Sequence, residues 1–233
     1  MLATAFATRP AALATMGDVD VDRDPLERQM LSGPVRVIEA KEHVFREGDA
    51  VSHVYKVEVG HVCVYKTLPD GRRQVIDFAY PGDLIGLGCI GEHDSNAQAT
   101  SRTRLHFIPI AALRQAVRTD GALGLKLYEA MSRELSASRE LLFTVSQRTA
   151  GERVASFLLS LSRRQERNGQ NPGEFVLPMT RSDIADFLGL TIETVSRTFT
   201  KLRSDGLIDL AQCVLVKITD AERLAELAEG RCD

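Results

Sequence analysis

The sequence predicts an α+β chain in three parts: an antiparallel β domain, one long helix, and a C-terminal winged helix-turn-helix. Three observations carry this. Short apolar runs alternate with turn clusters from Gly33 to about Ile110. A proline-free stretch, Gly121–Ser146, then places apolar residues at steps of three and four. Finally, two short amphipathic segments meet at Gly189 and lead into a hairpin.

The chain has 233 residues, 44% hydrophobic and 26% charged, which is enough for two modest domains with cores of their own. No apolar run approaches the roughly 18–20 residues of a membrane span. The start, Met1–Pro10, has no basic segment ahead of a continuous apolar core, so no secretory signal is read there. Cys63, Cys89, Cys213 and Cys232 are widely spaced without a CxxC pair, which excludes a disulfide framework or structural zinc site and fits a reducing cytoplasm. His61 with Cys63, and Cys89 with His93, read as core cysteines and surface histidines, so no metal site is expected. The net charge of −3, from 29 basic and 32 acidic residues, argues against a uniformly basic coat. It leaves room for a local basic face. No nucleophile–base pairing, P-loop or metal signature points to an enzyme.

Residues 1–30 read as a flexible extension with a short helix near Asp24–Leu31. Residues 31–118 form the β domain, with strands at Val35–Ile38, Val54–Val59, His61–Tyr65, Arg73–Phe78 and Arg104–Ile108. Turn clusters separate them at Arg46–Asp49, Leu68–Gly71 and Tyr80–Asp83, and this many short strands implies a sandwich or barrel. Asp70-Gly71 is a hairpin turn, since glycine accepts the positive φ required.

Residues 119–147 form the long helix. Its stripe is Leu127, Met131, Leu135, Ser138, Leu142 and Val145, a narrow seam suited to a second copy of the same helix. Packing on its own β domain is the alternative. Ser138 is the one polar member, where a charge would cost stability.

Residues 148–233 form the DNA-binding domain. Glu152–Gln165 reads as a helix, Asn168–Gly173 as a loop and Glu174–Leu177 as a short strand. Thr180 caps the next helix with Asp183 as reciprocal partner, and Ile184, Ala185 and Leu188 share its inner face. Gly189 ends it, Thr191 caps the second helix, and Val195, Phe199 and Leu202 face inward. Its other face carries Glu193, Thr194, Ser196, Arg197, Thr200 and Lys201. A second helix of this kind enters the major groove, where Arg suits guanine O6/N7 and Glu accepts from cytosine N4. Glu193 and Arg197 are therefore the candidates for base contact, and the resemblance named below adds Ser196 to them. Phosphate contacts are expected from Thr180, Arg181, Ser182, Thr191, Thr194 and Lys201. Ser204–Leu210 and Val214–Ile218 form the wing, and Asp220–Ala228 a terminal helix. An amphipathic helix pair that serves only as scaffolding is the alternative that the wing argues against.

From about residue 30 the chain resembles the Crp/Fnr superfamily of bacterial transcription regulators. The resemblance rests on Gly48-Asp49, Gly60, Asp70-Gly71 and Pro81–Gly86, followed by the long helix and the winged helix. It implies a cyclic-nucleotide-binding-like β-roll, a dimerisation helix, and a homodimer on double-stranded palindromic DNA that contacts RNA polymerase, with Asp83–Gly91 as one candidate surface. Leu190–Arg197 looks like the recognition helix of the Fnr and FixK branches. Its Glu193-x-x-Ser196-Arg197 spacing implies operators of TTGA-N6-TCAA type, with Arg197 on guanine and Ser196 near a thymine methyl.

Two departures bear on cofactors. Residues 1–62 contain no cysteine and His106 stands where a further cluster ligand of Fnr would fall, so the thiolates an iron–sulfur cluster needs are missing. Relatives that bind cAMP have a Gly-Glu-Leu motif and a downstream Arg-Ser pair. This chain has Gly82-Asp83-Leu84 and Asp94–Ala99. The resemblance therefore implies a FixK-type activator of low-oxygen or nitrogen-fixation genes, without bound cofactor and with no cyclic nucleotide. The alternative is an effector-dependent sensor holding haem or a small molecule in the roll. Cys213 in the wing, if oxidised, would weaken DNA binding. Its other reading is a small apolar strand residue, and Thr180 occupies the approximate place of the redox cysteine found in FixK relatives.

Overall fold

The computed structural model describes residues 24–88, 90–211 and 214–231. Most of the predicted extension, together with Cys89, Cys213 and Cys232, lies outside the described residues. Helix α1 (Pro25–Leu31) starts where expected: Asp24 accepts from the Leu26 amide at 2.9 Å, with proline at the first helical position.

Eight strands follow: β1 (Val35–Ile38), β2 (His43–Phe45), β3 (His53–Val59), β4 (Val62–Thr67), β5 (Arg73–Ala79), β6 (Leu84–Ile85), β7 (Asn96–Ala99) and β8 (Thr103–Pro109). They form two antiparallel four-stranded sheets, in the orders β1-β8-β3-β6 and β2-β7-β4-β5. Ile38, Phe45, Val57, Val62, Ile85 and Leu105 fill the space between them. All five expected strands are present, and β2, β6 and β7 are additional. At the β4–β5 turn Gly71 has φ 83°, and the Asp70 carboxylate accepts from the Arg72 amide at 3.0 Å and its guanidinium at 2.7 Å.

The roll ends in a helix that sequence reasoning placed within the β domain, α2 (Ile110–Thr119). It packs with α1 and α3 (Gly121–Gln147) around Met30, Val54, Ile108, Leu113 and Leu123. Asp120 starts α3 by accepting from the amides of Ala122 and Leu123, at 2.9 and 3.1 Å.

Helix α3 spans 27 residues, and much of its apolar stripe remains uncovered. Met131, Leu135 and Leu142 are 50%, 52% and 67% exposed, in line with Tyr128 at 68%. Ser138 lies in the same row and donates to the Glu134 carbonyl at 2.9 Å, so its hydroxyl is satisfied within the helix. Leu127, expected in this row, instead packs on the chain's own cluster around Leu123. Val145 is half-buried at the stripe's edge.

The C-terminal part runs α4 (Ala150–Arg167), β9 (Glu174–Val176), α5 (Arg181–Leu188), α6 (Ile192–Ser204), β10 (Ile208–Ala211), β11 (Leu215–Ile218) and α7 (Ala221–Ala228). Strands β10, β11 and β9 form one antiparallel sheet, so the wing hairpin carries a third strand. The core of this part extends into the roll. Cys63, Val75 and Phe78 belong to the same cluster as Leu158, Ile184, Val195 and Phe199, and the Phe78 and Phe187 rings lie 5.3 Å apart. Arg73 of β5 donates to Asp183 and lies 3.5 Å from the Asp186 carboxylate, while Gln74 donates to the Asp186 carbonyl. Arg164 of α4 donates to Asp83 at 2.6 Å and lies over the Tyr80 ring. Among the described residues no helix is long and apolar enough to cross a membrane.

Burial pushes the Cys63 thiol up to about 12, so it stays protonated and unreactive at neutral pH. Iodoacetamide applied to native protein at about pH 8 is expected to leave the Cys63 peptide unmodified, and to label it once urea has unfolded the chain. Mass spectrometry of the digest reads the difference; labelling of Cys63 in the native state would contradict this burial.

Candidate nucleic-acid interface

The two helices around Gly189 are built by local capping chemistry. Thr180 and Asp183 form the reciprocal box: the Asp183 amide donates to Thr180 Oγ1 at 3.1 Å, and the Thr180 amide donates to Asp183 Oδ2 at 2.9 Å. The chain leaves α5 through Gly189 at φ 63°, a left-handed conformation that costs glycine nothing. Thr191 then opens α6 by accepting from the Thr194 amide at 3.2 Å. Val195, Phe199 and Leu202 of α6 are buried against Ile184, Ala185 and Leu188 of α5. Their spacing fixes which side of α6 is left for a ligand.

That free side carries Glu193, Ser196, Arg197, Thr200 and Lys201, all exposed. The three expected base-contacting residues therefore stand on one accessible surface. Hydrogen bonds from its own amide and from the Thr191 hydroxyl, with Arg197 one turn on, hold the Glu193 carboxyl below the usual carboxylate range. It is a pure acceptor at neutral pH, the form that would receive a cytosine amino group.

The expected phosphate contacts divide. Lys201 and Thr191 are exposed, and Ser182 and Thr194 are half-buried. The Thr180 hydroxyl is turned into the capping box, donating to Asp183 Oδ2 at 2.7 Å. Arg181 lies flat on the Phe199 ring, its guanidinium carbon 3.4 Å from the centroid. It thus covers the inner face of α6, where the sequence suggested a side chain reaching outward. Thr180 is itself exposed and Arg181 half-buried.

Sequence reasoning missed the contact that Arg73 makes with α5. The Asp183 carboxylate that caps α5 is shared with a guanidinium from the roll, 110 residues earlier in the chain. No local pattern signals such a pair.

A cavity of about 340 Å³ lies between the roll and α3. Its apolar wall includes Phe45, Val64, Ile85 and Leu141, and its charged groups are Asp77, Asp94 and Glu134, with no Arg or Lys among the described lining residues. Desolvation and the nearby Asp83 raise both the Asp77 and Glu134 carboxyls above their usual range. The lining thus offers carboxyl groups and no cation to pair with an anion, so it does not fit the phosphate of a cyclic nucleotide. Of the segments compared with the cAMP-binding pattern, Asp94-Ser95 does line the cavity. Asp83 does not: it accepts from the Tyr80 amide at 2.9 Å and pairs with Arg164. His106 is tied to Glu58 at 3.2 Å, within the β1-β8-β3-β6 sheet of the roll. His93 stacks on Phe45, ring centroids 3.6 Å apart.

Comparison with known proteins agrees with this architecture. Residues 35–120 match the cyclic nucleotide-binding domain family, and residues 152–227 the Crp-like helix-turn-helix domain family. The chain is 39% identical over 187 residues to the nitrogen fixation regulation protein FixK of Bradyrhizobium diazoefficiens, covering 80% of this chain and 78% of that protein. It is 34% identical to the transcriptional activator protein FnrA of Stutzerimonas stutzeri, over 91% of this chain and 86% of the relative. The solved structure of FixK2 from Bradyrhizobium japonicum superposes with a TM-score of 0.79 at 33% identity, covering 84% of this chain and 96% of the other.

Proposed function

Since this chain belongs to the Crp/Fnr family of transcription regulators, we propose that it works as a homodimeric, sequence-specific DNA-binding activator that recruits RNA polymerase to palindromes of TTGA-N6-TCAA type. The observation that carries this is the free face of α6, with Glu193, Ser196 and Arg197 together outside and Val195, Phe199 and Leu202 inside. In this reading Arg197 donates to guanine, Glu193 accepts from cytosine, Ser196 lies at a thymine methyl, and Lys201 neutralises phosphate. The uncovered row Tyr128, Met131, Leu135 and Leu142 joins two copies along α3. Relatives named for nitrogen fixation regulation and anaerobic regulation support target genes of low-oxygen metabolism.

The acidic lining of the roll cavity supports activity without a cyclic nucleotide. The cavity itself also favours a second reading, in which an uncharged or cationic effector occupies the roll and adjusts DNA affinity. Anisotropy titrations of TTGA- and GTGA-type palindromes, with and without cAMP, test the proposal. Tight TTGA binding that cAMP does not change supports it. Binding only with cAMP, or equal binding to a scrambled duplex, would sink it. Absorbance of the purified protein at haem wavelengths, and a thermal shift with candidate effectors, test the second reading.

A further inference from the structure

The recognition helix is connected to the dimerisation helix through α4 and a two-residue joint, Arg148-Thr149, and two arginines brace that joint. Arg148 ends α3 in extended backbone. Its Nη1 donates to the Thr144 hydroxyl of α3 at 3.2 Å and to the Ser156 hydroxyl of α4 at 2.6 Å, while Nη2 lies 3.1 Å from Glu140 Oε1. Arg153, in the first turns of α4, reaches in the other direction. Its Nε donates to the Arg148 carbonyl at 2.8 Å, and its Nη1 to the Leu188 carbonyl at 3.0 Å, with the Gly189 carbonyl at 3.5 Å.

These acceptors are the C-terminal ends of two helices, α3 and α5. Neither carbonyl has a helical partner, and the end of α5 adds the negative pole of its dipole, so both attract the same cation. A guanidinium suits this double role because its donors leave a rigid plane in different directions; a lysine ammonium has the charge without the fork. The opposite end of α5 is held by Arg73 on Asp183. Leu188 and Gly189 lead directly into Leu190-Thr191, where α6 begins, so any rotation of this turn passes into the recognition helix.

We infer that Arg153 is the positioning residue that fixes the helix-turn-helix relative to α3 and so sets the separation of the two recognition helices in the dimer. This rests on the operator reading above, in which two half-sites must be met at one spacing. Arg153 acts through the turn and the joint, and reads no base itself.

The test uses full-length wild type, Arg153→Ala and Arg153→Lys. Each is titrated against the palindrome and against versions whose spacer is one base pair longer or shorter. Wild type is expected to prefer one spacing. Arg153→Ala is expected to bind that operator roughly tenfold more weakly, the value of a lost charged hydrogen-bond pair, while binding the altered spacers almost as wild type does. Its discrimination between spacings therefore collapses, with dimer mass and circular dichroism unchanged. Arg153→Lys is expected to fall between them, since one ammonium reaches only one helix end. Undiminished discrimination in Arg153→Ala, or a proportional loss on every duplex in both variants, overturns the inference. A wild type that binds no spacing at all overturns the operator reading itself, and the inference with it.

Discussion

Replacing Arg197 with alanine is expected to weaken specific operator binding by between about 30-fold and 10⁴-fold. The figure follows from about 1–3 kcal/mol for one bidentate guanine contact, counted once in each half-site of a palindrome. The side chain is exposed on α6 and contributes little to the fold, so thermal stability should stay within about 0.5 kcal/mol of wild type. The two quantities separate the roles: anisotropy on the palindrome should fall steeply, while the melting curve does not move. Binding to a scrambled duplex should change far less, because that binding depends on phosphate charge. Unchanged affinity for the palindrome would remove Arg197 from base reading, and with it the assignment of α6 as the recognition helix.

Leu135→Glu is expected to convert the dimer to a folded monomer. Leu135 is 52% exposed on the single chain, so the protomer has little to lose from the substitution. Across a two-fold axis the same position meets itself, and each change is made twice. Only the exposed half of each leucine is left for the partner to bury, so withdrawing two forfeits about 1.5–3 kcal/mol, roughly 10- to 10²-fold in the dimerisation constant, before the repulsion between facing carboxylates is counted. Light scattering coupled to size exclusion reads the mass, and circular dichroism confirms the fold. Operator affinity should fall with dimer mass, since a monomer meets one half-site at a time. A variant that remains dimeric would place the seam elsewhere on α3.

Much of this molecule is legible in its sequence where the physics is local. The alternation of β1, β3, β4, β5 and β8, the capping pairs at Thr180 and Thr191, and the buried face of α6 each depend on residues within a few positions of one another. Strands β2 and β6 were missed because three and two residues are too few to show an alternating pattern, and β7, Asn96-Ala97-Gln98-Ala99, because it lacks the β-branched and aromatic residues that mark β1. Helix α2 escaped notice because it follows β8 without a break: its N-cap position is Pro109, which makes no side-chain capping bond. Arg181 shows a different limit. Its charge and place at the start of α5 suggest a phosphate contact, yet composition does not say where a long side chain turns, and here it covers Phe199. Leu127 obeys the same helical spacing as Met131 and Leu135, but the periodicity cannot tell a partner helix from the chain's own α1 and α2.

The carboxylate of Asp183 answers to two masters, the helix it caps and the guanidinium of Arg73. Around that pair, Cys63, Val75 and Phe78 of the roll complete a core begun by Leu158 and Ile184. The consequence concerns heredity more than chemistry. A lineage that exchanged its roll for another would need the newcomer to bring an equivalent cation and an equivalent apolar patch at the same spot, or leave α5 with a bare flank. The reader of DNA and the roll beside it therefore share one core, and the boundary between them, convenient on a domain map, is a poor place to cut.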